Sequence, residues 1–208
     1  MVNSNKAVDR IAMDPRPVTA RALDGNEMKK HIEHIEGLPP VVGPSPKVLI
    51  LGTFPGEESL RQNQYYAHPR NLFWEIMGQV CGAGRDIKYE DRLNILKNSQ
   101  IALWDVLKSC SRHGSLDTDI RNGFYEVNDF KKFLAEHDIK AICFNGKKAE
   151  ELFKKIPAST LPELPMLSRL PSTSPANAGI PKDTKICQWL LIKKHLECAP
   201  TRPVDRSQ

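Results

Sequence analysis

The sequence lacks the paired cysteines that mark several classes of metal and redox protein. Its five cysteines are spread over 208 residues, and no C-x-x-C pair occurs. A zinc ribbon, a thioredoxin-type motif and a clustered iron–sulfur site all need such pairs, so these classes are excluded. We therefore expect reduced cysteines, with Cys143 in the core, and neither a metal nor another cofactor.

Long hydrophobic runs are also missing. No apolar stretch approaches the roughly 20 residues that cross a bilayer. The start, MVNSNKAVDRIAMDPRPVTARALDG, has no apolar segment of the kind that a secretory signal requires. We expect no membrane partner and a cytoplasmic location. The net charge of +5 favours a polyanionic partner only weakly, because many solvated surfaces carry a similar excess.

The length fits one domain of ordinary size with extensions at both ends. We predict an N-terminal tail over residues 1–45, which includes a short helix in NEMKKHIEHIEGL. The domain itself is predicted over residues 46–198, and a C-terminal tail over residues 199–208.

Strand and helix patterns alternate through the predicted domain. The segments KVLILG, IALWDVL, IKAICFNG and PMLSRL predict four strands. Helical patterns occur in NLFWEIMGQV, DFKKFLAEH, KKAEELFKKI and DTKICQWLLIKKHL. This order predicts an α/β fold, a three-layer α/β/α sandwich with a central, mainly parallel four-stranded sheet.

Three unusual loops follow strands of this sheet. GTFPGEES, NGKK and LPSTSPAN come after the first, third and fourth predicted strands. Ligands of parallel sheets bind beyond the carboxyl ends of the strands, so we expect the three loops to converge on one site.

The first loop, GTFPG, places Gly52 and Gly56 on either side of a proline. The backbone N–H groups of such a turn can point at an acceptor, although a tight strand exit explains the same residues. It is not a phosphate loop, because the Gly-Lys-Ser/Thr ending of that motif is missing.

The element QYYAHPRNLFW concentrates aromatic and hydrogen-bonding groups. Tyr66, His68, Arg70 and Asn71 lie close together in it. Each has a structural explanation, since a tyrosine can belong to the core and an asparagine can cap a helix. Together they place an aromatic face, an imidazole, a guanidinium and an amide where a ligand is expected.

The loop LPSTSPAN is polar and rich in turn residues. It is either an ordinary surface loop or one that contacts the phosphates of a nucleic acid, because hydroxyls and backbone amides position such a backbone without reading its sequence.

With these motifs, the chain resembles the uracil-DNA glycosylase superfamily, and most closely its hypoxanthine-DNA (deoxyinosine) glycosylase branch. GTFPGEES matches the first family motif and YYAHPRNLFW the element after it. FNGKKA matches a third-strand signature and LPSTSPAN the second motif. The resemblance covers residues 47 to about 197. It implies a monofunctional DNA glycosylase of base-excision repair that needs no cofactor. Such an enzyme flips a deaminated nucleotide, here expected to be deoxyinosine, and hydrolyses its N-glycosidic bond. We expect it to act as a monomer on DNA.

The resemblance also implies a role for individual residues. Phe54 stands where the uracil-specific branches have an Asp or Asn that activates or places water. In the hypoxanthine branch the asparagine of the H-P-x-N element serves instead, which makes Asn71 the expected catalytic residue. The residues expected to bind the base are Thr53, Phe54, Tyr66, His68 and Asn145. The residues expected to contact DNA phosphates are Arg70, Lys147, Ser172, Thr173 and Ser174.

Three alternatives remain open from the sequence. The same pocket could serve a uracil or mismatch-specific glycosylase. The fold could belong to a non-catalytic nucleic-acid-binding module, an interpretation that Phe54 favours. The chain could also hydrolyse free nucleosides.

Overall fold

The computed structural model describes residues 35–112 and 120–197. All the described residues belong to one compact unit. The strands are β1 (Ile35–Glu36), β2 (Val48–Gly52), β3 (Ile101–Asp105), β4 (Leu107–Arg112), β5 (Ile120–Val127), β6 (Ala141–Asn145) and β7 (Met166–Leu170). The α-helices are α1 (Glu57–Gln62), α2 (Phe73–Cys81), α3 (Tyr89–Asn98), α4 (Phe130–Glu136), α5 (Lys147–Phe153), α6 (Lys182–Trp189) and α7 (Leu191–Glu197).

The central sheet has four parallel strands in the order β3-β2-β6-β7. Side chains of β2 alternate between its two faces, as strand geometry requires. Val48 and Ile50 belong to one hydrophobic core, whereas Leu49 and Leu51 belong to the other. Burial on both faces explains why this strand is an unbroken apolar run.

Helices cover both faces of this sheet. One core packs α2, α6 and α7 against it through residues such as Phe73 and Trp189. The other packs α4 and α5 through Phe130 and Phe153. The predicted three-layer α/β/α sandwich with a parallel four-stranded sheet is therefore confirmed.

A second, antiparallel sheet in the order β1-β4-β5 was not predicted. The sequence indicated one strand through IALWDVL, but β3 ends at Asp105 and β4 begins at Leu107 in the other sheet. At the bend, the Val106 and Leu107 N–H groups donate to the carbonyls of Gly52 and Thr53, at 2.9 and 3.1 Å. These bonds fasten the start of β4 to the exit of β2.

Several other boundaries differ from the prediction. The predicted helix NEMKKHIEHIEGL lies largely outside the described residues, and where its end is described the chain forms β1, which pairs with Cys110 and Ser109 of β4. Helices α1 and α3 were not predicted, and the single helix expected over residues 183–196 is divided at Leu190 into α6 and α7.

Packing already begins before residue 46, because Leu38 and Val41 belong to the core. The domain limits at residues 46 and 198 stay predictions, and the C-terminal tail lies outside the described residues. None of the helices in the described ranges has the length and apolar character needed to cross a bilayer.

Cys143 is fully buried in β6, as predicted, and desolvation raises the pKa of its thiol to about 12. Such a thiol is protonated and unreactive, so this cysteine is a core residue.

Candidate active site

A cavity of about 1470 Å³ opens at the carboxyl edge of the central sheet. The segments that follow β2, β6 and β7 line it, together with Asp105 at the end of β3 and the aromatic element before α2. Strand ends form its floor and loops form its walls. The three loops that the sequence singled out therefore do converge, and the volume is ample for a nucleobase.

The floor is built around Gly52. A Cβ on this residue would overlap Asp105 Oδ1 and lie 3.0 Å from the Tyr66 hydroxyl. Gly52 and Asp105 are register partners at the last position of β2 and β3. Only glycine leaves room here for a carboxylate and a phenol above the end of the sheet.

Thr53 and Phe54 continue from this floor and are both buried. Both residues line the cavity, while the Phe54 ring packs into the core beneath α4 and α5. At this position the Phe54 side chain therefore contributes packing to the core.

The aromatic element is anchored through Tyr65. The Tyr65 hydroxyl lies within hydrogen-bond distance of the carbonyls of Leu38 and Pro39, at 3.2 and 3.1 Å. Its N–H donates to the Tyr89 hydroxyl, and its carbonyl accepts a hydrogen bond from the Trp74 indole, both at 2.8 Å. Burial, followed by the nearby charge of Asp105, raises the pKa of Tyr65, so the phenol stays protonated.

Tyr66 has a left-handed backbone conformation, with φ of 54°. Its ring stacks on Phe73, with the centroids 3.9 Å apart and the planes 21° from parallel. Phe73 is fully buried, so it supports one face of the Tyr66 ring from the core. Tyr66 itself lines the cavity.

Asn71 lies just before Leu72, the N-cap residue of α2, and its side chain binds the first N–H of the helix. Its Oδ1 accepts a hydrogen bond from the Phe73 N–H at 3.0 Å, and its own N–H donates to the His68 carbonyl at 2.9 Å. The guanidinium of Arg85 donates to the carbonyls of both Pro69 and Asn71. These contacts fix the orientation of the amide at the cavity wall.

His68 also lines the cavity, and its Nδ1 accepts a hydrogen bond from the Arg70 N–H at 3.1 Å. With Nδ1 engaged as an acceptor, Nε2 is the ring nitrogen placed to donate.

Asn145 and Thr173 form a two-way connection between β6 and the second-motif loop, which we define as residues 170–177. The Asn145 amide nitrogen donates to Thr173 Oγ1, and its Oδ1 accepts from the Thr173 N–H, both at 2.9 Å. Thr173 is fully buried. The Thr173 side chain thus holds the loop on the sheet, and the phosphate contact expected of this residue stays a prediction.

The rest of the second-motif loop is held from within and from α6. The Ser172 and Ser174 hydroxyls each accept a hydrogen bond from an N–H two residues later, at 3.3 Å. From α6, the buried Lys185 donates to the Asn177 carbonyl at 2.6 Å, and the Trp189 indole donates to the Pro171 carbonyl at 2.9 Å. The loop also binds the aromatic element, since the Leu72 N–H donates to the Thr173 carbonyl at 3.0 Å.

Basic and acidic groups are both present at the cavity wall. Arg70 is exposed there, and Lys147, at the start of α5, lies 3.3 Å from Glu151 in an exposed ion pair. Hydrogen bonds from Arg61, and then from Gln62, lower the pKa of Glu58 to about 2. Glu58 is thus an ionised surface partner of Arg61 and a poor candidate for acid catalysis.

The sequence did not identify three residues of this site: Asp105, Arg85 and Lys185. Asp105 could have been found, because an acidic residue that ends a buried strand lies at the ligand-binding edge. Arg85 and Lys185 act on backbone carbonyls far away in the sequence, and no local pattern announces such contacts.

No group of three or more His, Cys, Asp or Glu side chains is placed to hold a metal ion within residues 35–112 and 120–197.

Comparison with known proteins agrees with this geometry. The family model described as the Uracil DNA glycosylase superfamily matches residues 39–191. The chain is 38% identical over 166 residues to a hypoxanthine DNA glycosylase of Methanosarcina acetivorans, a match that covers 76% of this chain and 98% of that protein. It is 43% identical over 119 residues to a hypoxanthine DNA glycosylase of Methanosarcina barkeri, covering 56% of this chain and 73% of that one.

A solved structure is similar as well. The solution NMR structure of a candidate uracil DNA glycosylase from Methanosarcina acetivorans superposes with a TM-score of 0.66 at 36% identity, covering 79% of this chain and 99% of that one. The resemblance seen in the motifs is thereby confirmed, and the chain belongs to the Uracil DNA glycosylase superfamily.

Proposed function

We propose that this protein is a monofunctional DNA glycosylase that hydrolyses the N-glycosidic bond of deaminated bases, with hypoxanthine as the preferred base. The observation that carries the proposal is the preformed cavity at the sheet edge, which combines the supported ring of Tyr66 with the fixed amide of Asn71. The names of its two Methanosarcina relatives support hypoxanthine as the substrate.

A stacked base is out of reach of hydrolysis, so the nucleotide must first leave the duplex. The face of Tyr66 away from Phe73 then receives the base, and stacking on an aromatic ring contributes about 1–3 kcal/mol. The backbone N–H groups of Thr53 and Phe54, which line the cavity, are the proposed donors to the charge that develops on the departing base.

Asn71 is the proposed catalytic residue, and it acts by placing water rather than by taking a proton. The hydrogen bond from the Phe73 N–H occupies one lone pair of Asn71 Oδ1, and an amide oxygen has a second lone pair. That second lone pair can accept a hydrogen bond from a water beside the sugar. As the C1′–N9 bond breaks, the water oxygen bonds to C1′ and its proton passes to solvent, while the base leaves as an anion that solvent protonates.

Arg70, Lys147, Ser172 and Ser174 are the proposed contacts to DNA phosphates. They surround a cavity whose mouth must accept a nucleotide still joined to its strand. His68, through its Nε2–H, is a further donor to the base or to a phosphate.

We also propose that the enzyme acts as a monomer in the cytoplasm. The four cysteines in the described ranges are free thiols, as expected in a reducing compartment.

The test is single-turnover cleavage of oligonucleotides that carry hypoxanthine, uracil or xanthine, followed by alkali to break abasic sites. Asn71→Ala should lose hypoxanthine excision while still binding inosine DNA. It also removes the hydrogen bond that the side chain accepts from the Phe73 N–H, at a cost of about 1 kcal/mol. Asn71→Asp is the matched control: a carboxylate keeps an acceptor for the Phe73 N–H and another for water, so it should keep excision, and thermal unfolding shows whether Asn71→Ala is still folded.

Each alternative has its own outcome in this test. Near wild-type excision by Asn71→Ala would refute the assignment of Asn71. Faster release of uracil than of hypoxanthine would indicate a uracil or mismatch-specific enzyme. Binding without any base release would indicate a non-catalytic module, and cleavage of free deoxyinosine as fast as of oligonucleotides would indicate a nucleoside hydrolase.

A further inference from the structure

The cavity contains one buried carboxylate to which the proposed chemistry gives no role. Asp105 ends β3, lines the cavity and is 4% exposed. Its Oδ1 lies beside Gly52, in the position that a Cβ of residue 52 would occupy. The Tyr66 hydroxyl is 3.0 Å from that same position. Burying a carboxylate is costly, so its presence at a ligand-facing strand end calls for a functional explanation.

Its depth indicates which part of a nucleotide it would meet. The sugar of a flipped nucleotide remains joined to the strand at the cavity mouth, so the base enters with its far edge toward the floor. Asp105 belongs to that floor, at the end of the sheet, and lies beside the hydroxyl tip of the Tyr66 ring. A purine stacked on Tyr66 would therefore present its N1 side to Asp105.

Asn145, the residue that sequence analysis assigned to this edge, is already engaged. Both its Oδ1 and its Nδ2 bond to Thr173 at 2.9 Å. These bonds hold the second-motif loop on the sheet and fix the Asn145 amide in one orientation, which leaves it one N–H and one lone pair for a ligand. Asp105 is the other polar side chain among the last residues of the four parallel strands.

The chemistry of a carboxylate distinguishes hypoxanthine from adenine at this position. An ionised carboxylate can only accept hydrogen bonds. Hypoxanthine is a lactam with an N1–H donor, whereas N1 of adenine carries a lone pair that a carboxylate would repel. We propose, building on the function proposed above, that Asp105 is a specificity-determining residue that accepts the ring N–H of a deaminated purine and rejects bases with a lone pair there.

The test compares two bases in the same oligonucleotide: hypoxanthine and unsubstituted purine, which has a lone pair at N1. Asp105→Asn keeps the shape of the side chain but gives it an amide donor. We expect hypoxanthine excision by Asp105→Asn to fall at least about 10-fold, as for loss of a charged hydrogen bond. Excision of unsubstituted purine should hold or rise, because the amide can donate to N1.

Two further variants guard against a folding artefact. Gly52→Ala leaves Asp105 in the chain but places a methyl group on its Oδ1, and should shift the ratio of the two substrates in the same direction. Asp138→Asn makes the same chemical change at an exposed ion pair with Lys140 and should leave the ratio unchanged. Thermal unfolding shows which variants are folded.

The outcomes separate this inference from the function on which it rests. If the wild type excises hypoxanthine and both cavity variants keep its substrate ratio, the role of Asp105 is refuted while the proposed function stands. Equal losses on both bases would also refute it, because they indicate a structural role. A wild-type protein that excises neither base refutes the proposed function itself.

Discussion

At the scale of single residues, Tyr66 combines an unusual backbone with an unusual environment. Non-glycine residues seldom adopt a positive φ, and a bulky side chain there is a strained outlier that often marks a functional site. The strain is maintained by the stack on Phe73 and by the anchoring of the neighbouring Tyr65. The chain thus holds one aromatic face in a fixed position at the cavity.

Removing that face should weaken capture of the base more than it affects the fold. We expect Tyr66→Ala to raise the enzyme concentration needed for half-maximal single-turnover excision by about 5- to 150-fold, which corresponds to 1–3 kcal/mol of stacking. Tyr66→Phe retains the ring and should stay close to the wild type. Unchanged concentration dependence in a folded Tyr66→Ala protein would contradict the stacking role.

At the scale of elements, Gly146 fixes the junction between β6 and α5. Its φ is 101°, and a Cβ there would lie 2.9 Å from Ser172 Cβ in the second-motif loop. Glycine thus allows both the turn and the close approach of the loop to the sheet.

Gly146→Ala should therefore lower the free energy of unfolding by about 1 kcal/mol or more and weaken DNA binding by displacing Ser172. Urea unfolding and binding to inosine DNA would measure the two effects. Gly179→Ala is the matched control, because a Cβ at Gly179 meets nothing within 4 Å. Equal effects of the two substitutions would count against this account of the junction.

Helix α6 carries two lysines whose environments shift their pKa in opposite directions. Burial lowers the pKa of Lys185, whereas a hydrogen bond from Lys182 to Glu75 raises that of Lys182. The Lys185 amine binds its proton more tightly in the unfolded chain than in the folded protein. The stability of the protein should therefore rise with pH from the lowered pKa of the folded state up to the ordinary lysine pKa of about 10.4. For Lys182, the sign is reversed, and stability is lost as pH rises above the ordinary value.

Urea unfolding of Lys185→Met and Lys182→Met from pH 7 to 11 would measure this contrast. Relative to the wild type, Lys185→Met should lack a rise in stability with pH, and Lys182→Met should lack a fall at the alkaline end. The same sign for both variants would contradict the assigned environments.

The elements also show what local sequence can and cannot predict. Strand β2 and helix α2 were predicted because burial imposes an apolar run on one and an apolar stripe on the other. Strand β4, LKSCSR, has no such pattern, since its place depends on pairing with β1 and β5 and on bonds from its start to the exit of β2. The sequence identified the loops of the site but not the hydrogen bonds that hold them in place. The bonds of Asn145, Arg85 and Lys185 join different segments of the chain, so no local pattern predicts them.

At the scale of the whole molecule, the net charge of +5 matters through its distribution. Arg70 lines the cavity, whereas Lys140 pairs with Asp138 just before β6, at the opposite end of the sheet. Only a cation at the cavity mouth can replace the counterions of the bound DNA.

We therefore expect DNA affinity to fall with salt, and Arg70→Gln to reduce the slope of log affinity against log salt by about one. Lys140→Gln removes the same charge from the other end of the sheet and should leave the slope unchanged. The measurement is binding of inosine DNA over a salt series. A flat wild-type profile would contradict phosphate contacts at the cavity mouth.

The fastening of the second-motif loop has a consequence for how lesions are found. This loop is tied to β6, to α6 and to the aromatic element before any DNA arrives. Such a rigid receptor has little to rearrange on binding, so the main barrier to engagement is the unpairing of the duplex. Lesions in weakly paired or mismatched positions should then be engaged soonest, because helix stability around the lesion, rather than any motion of the enzyme, sets the order of repair.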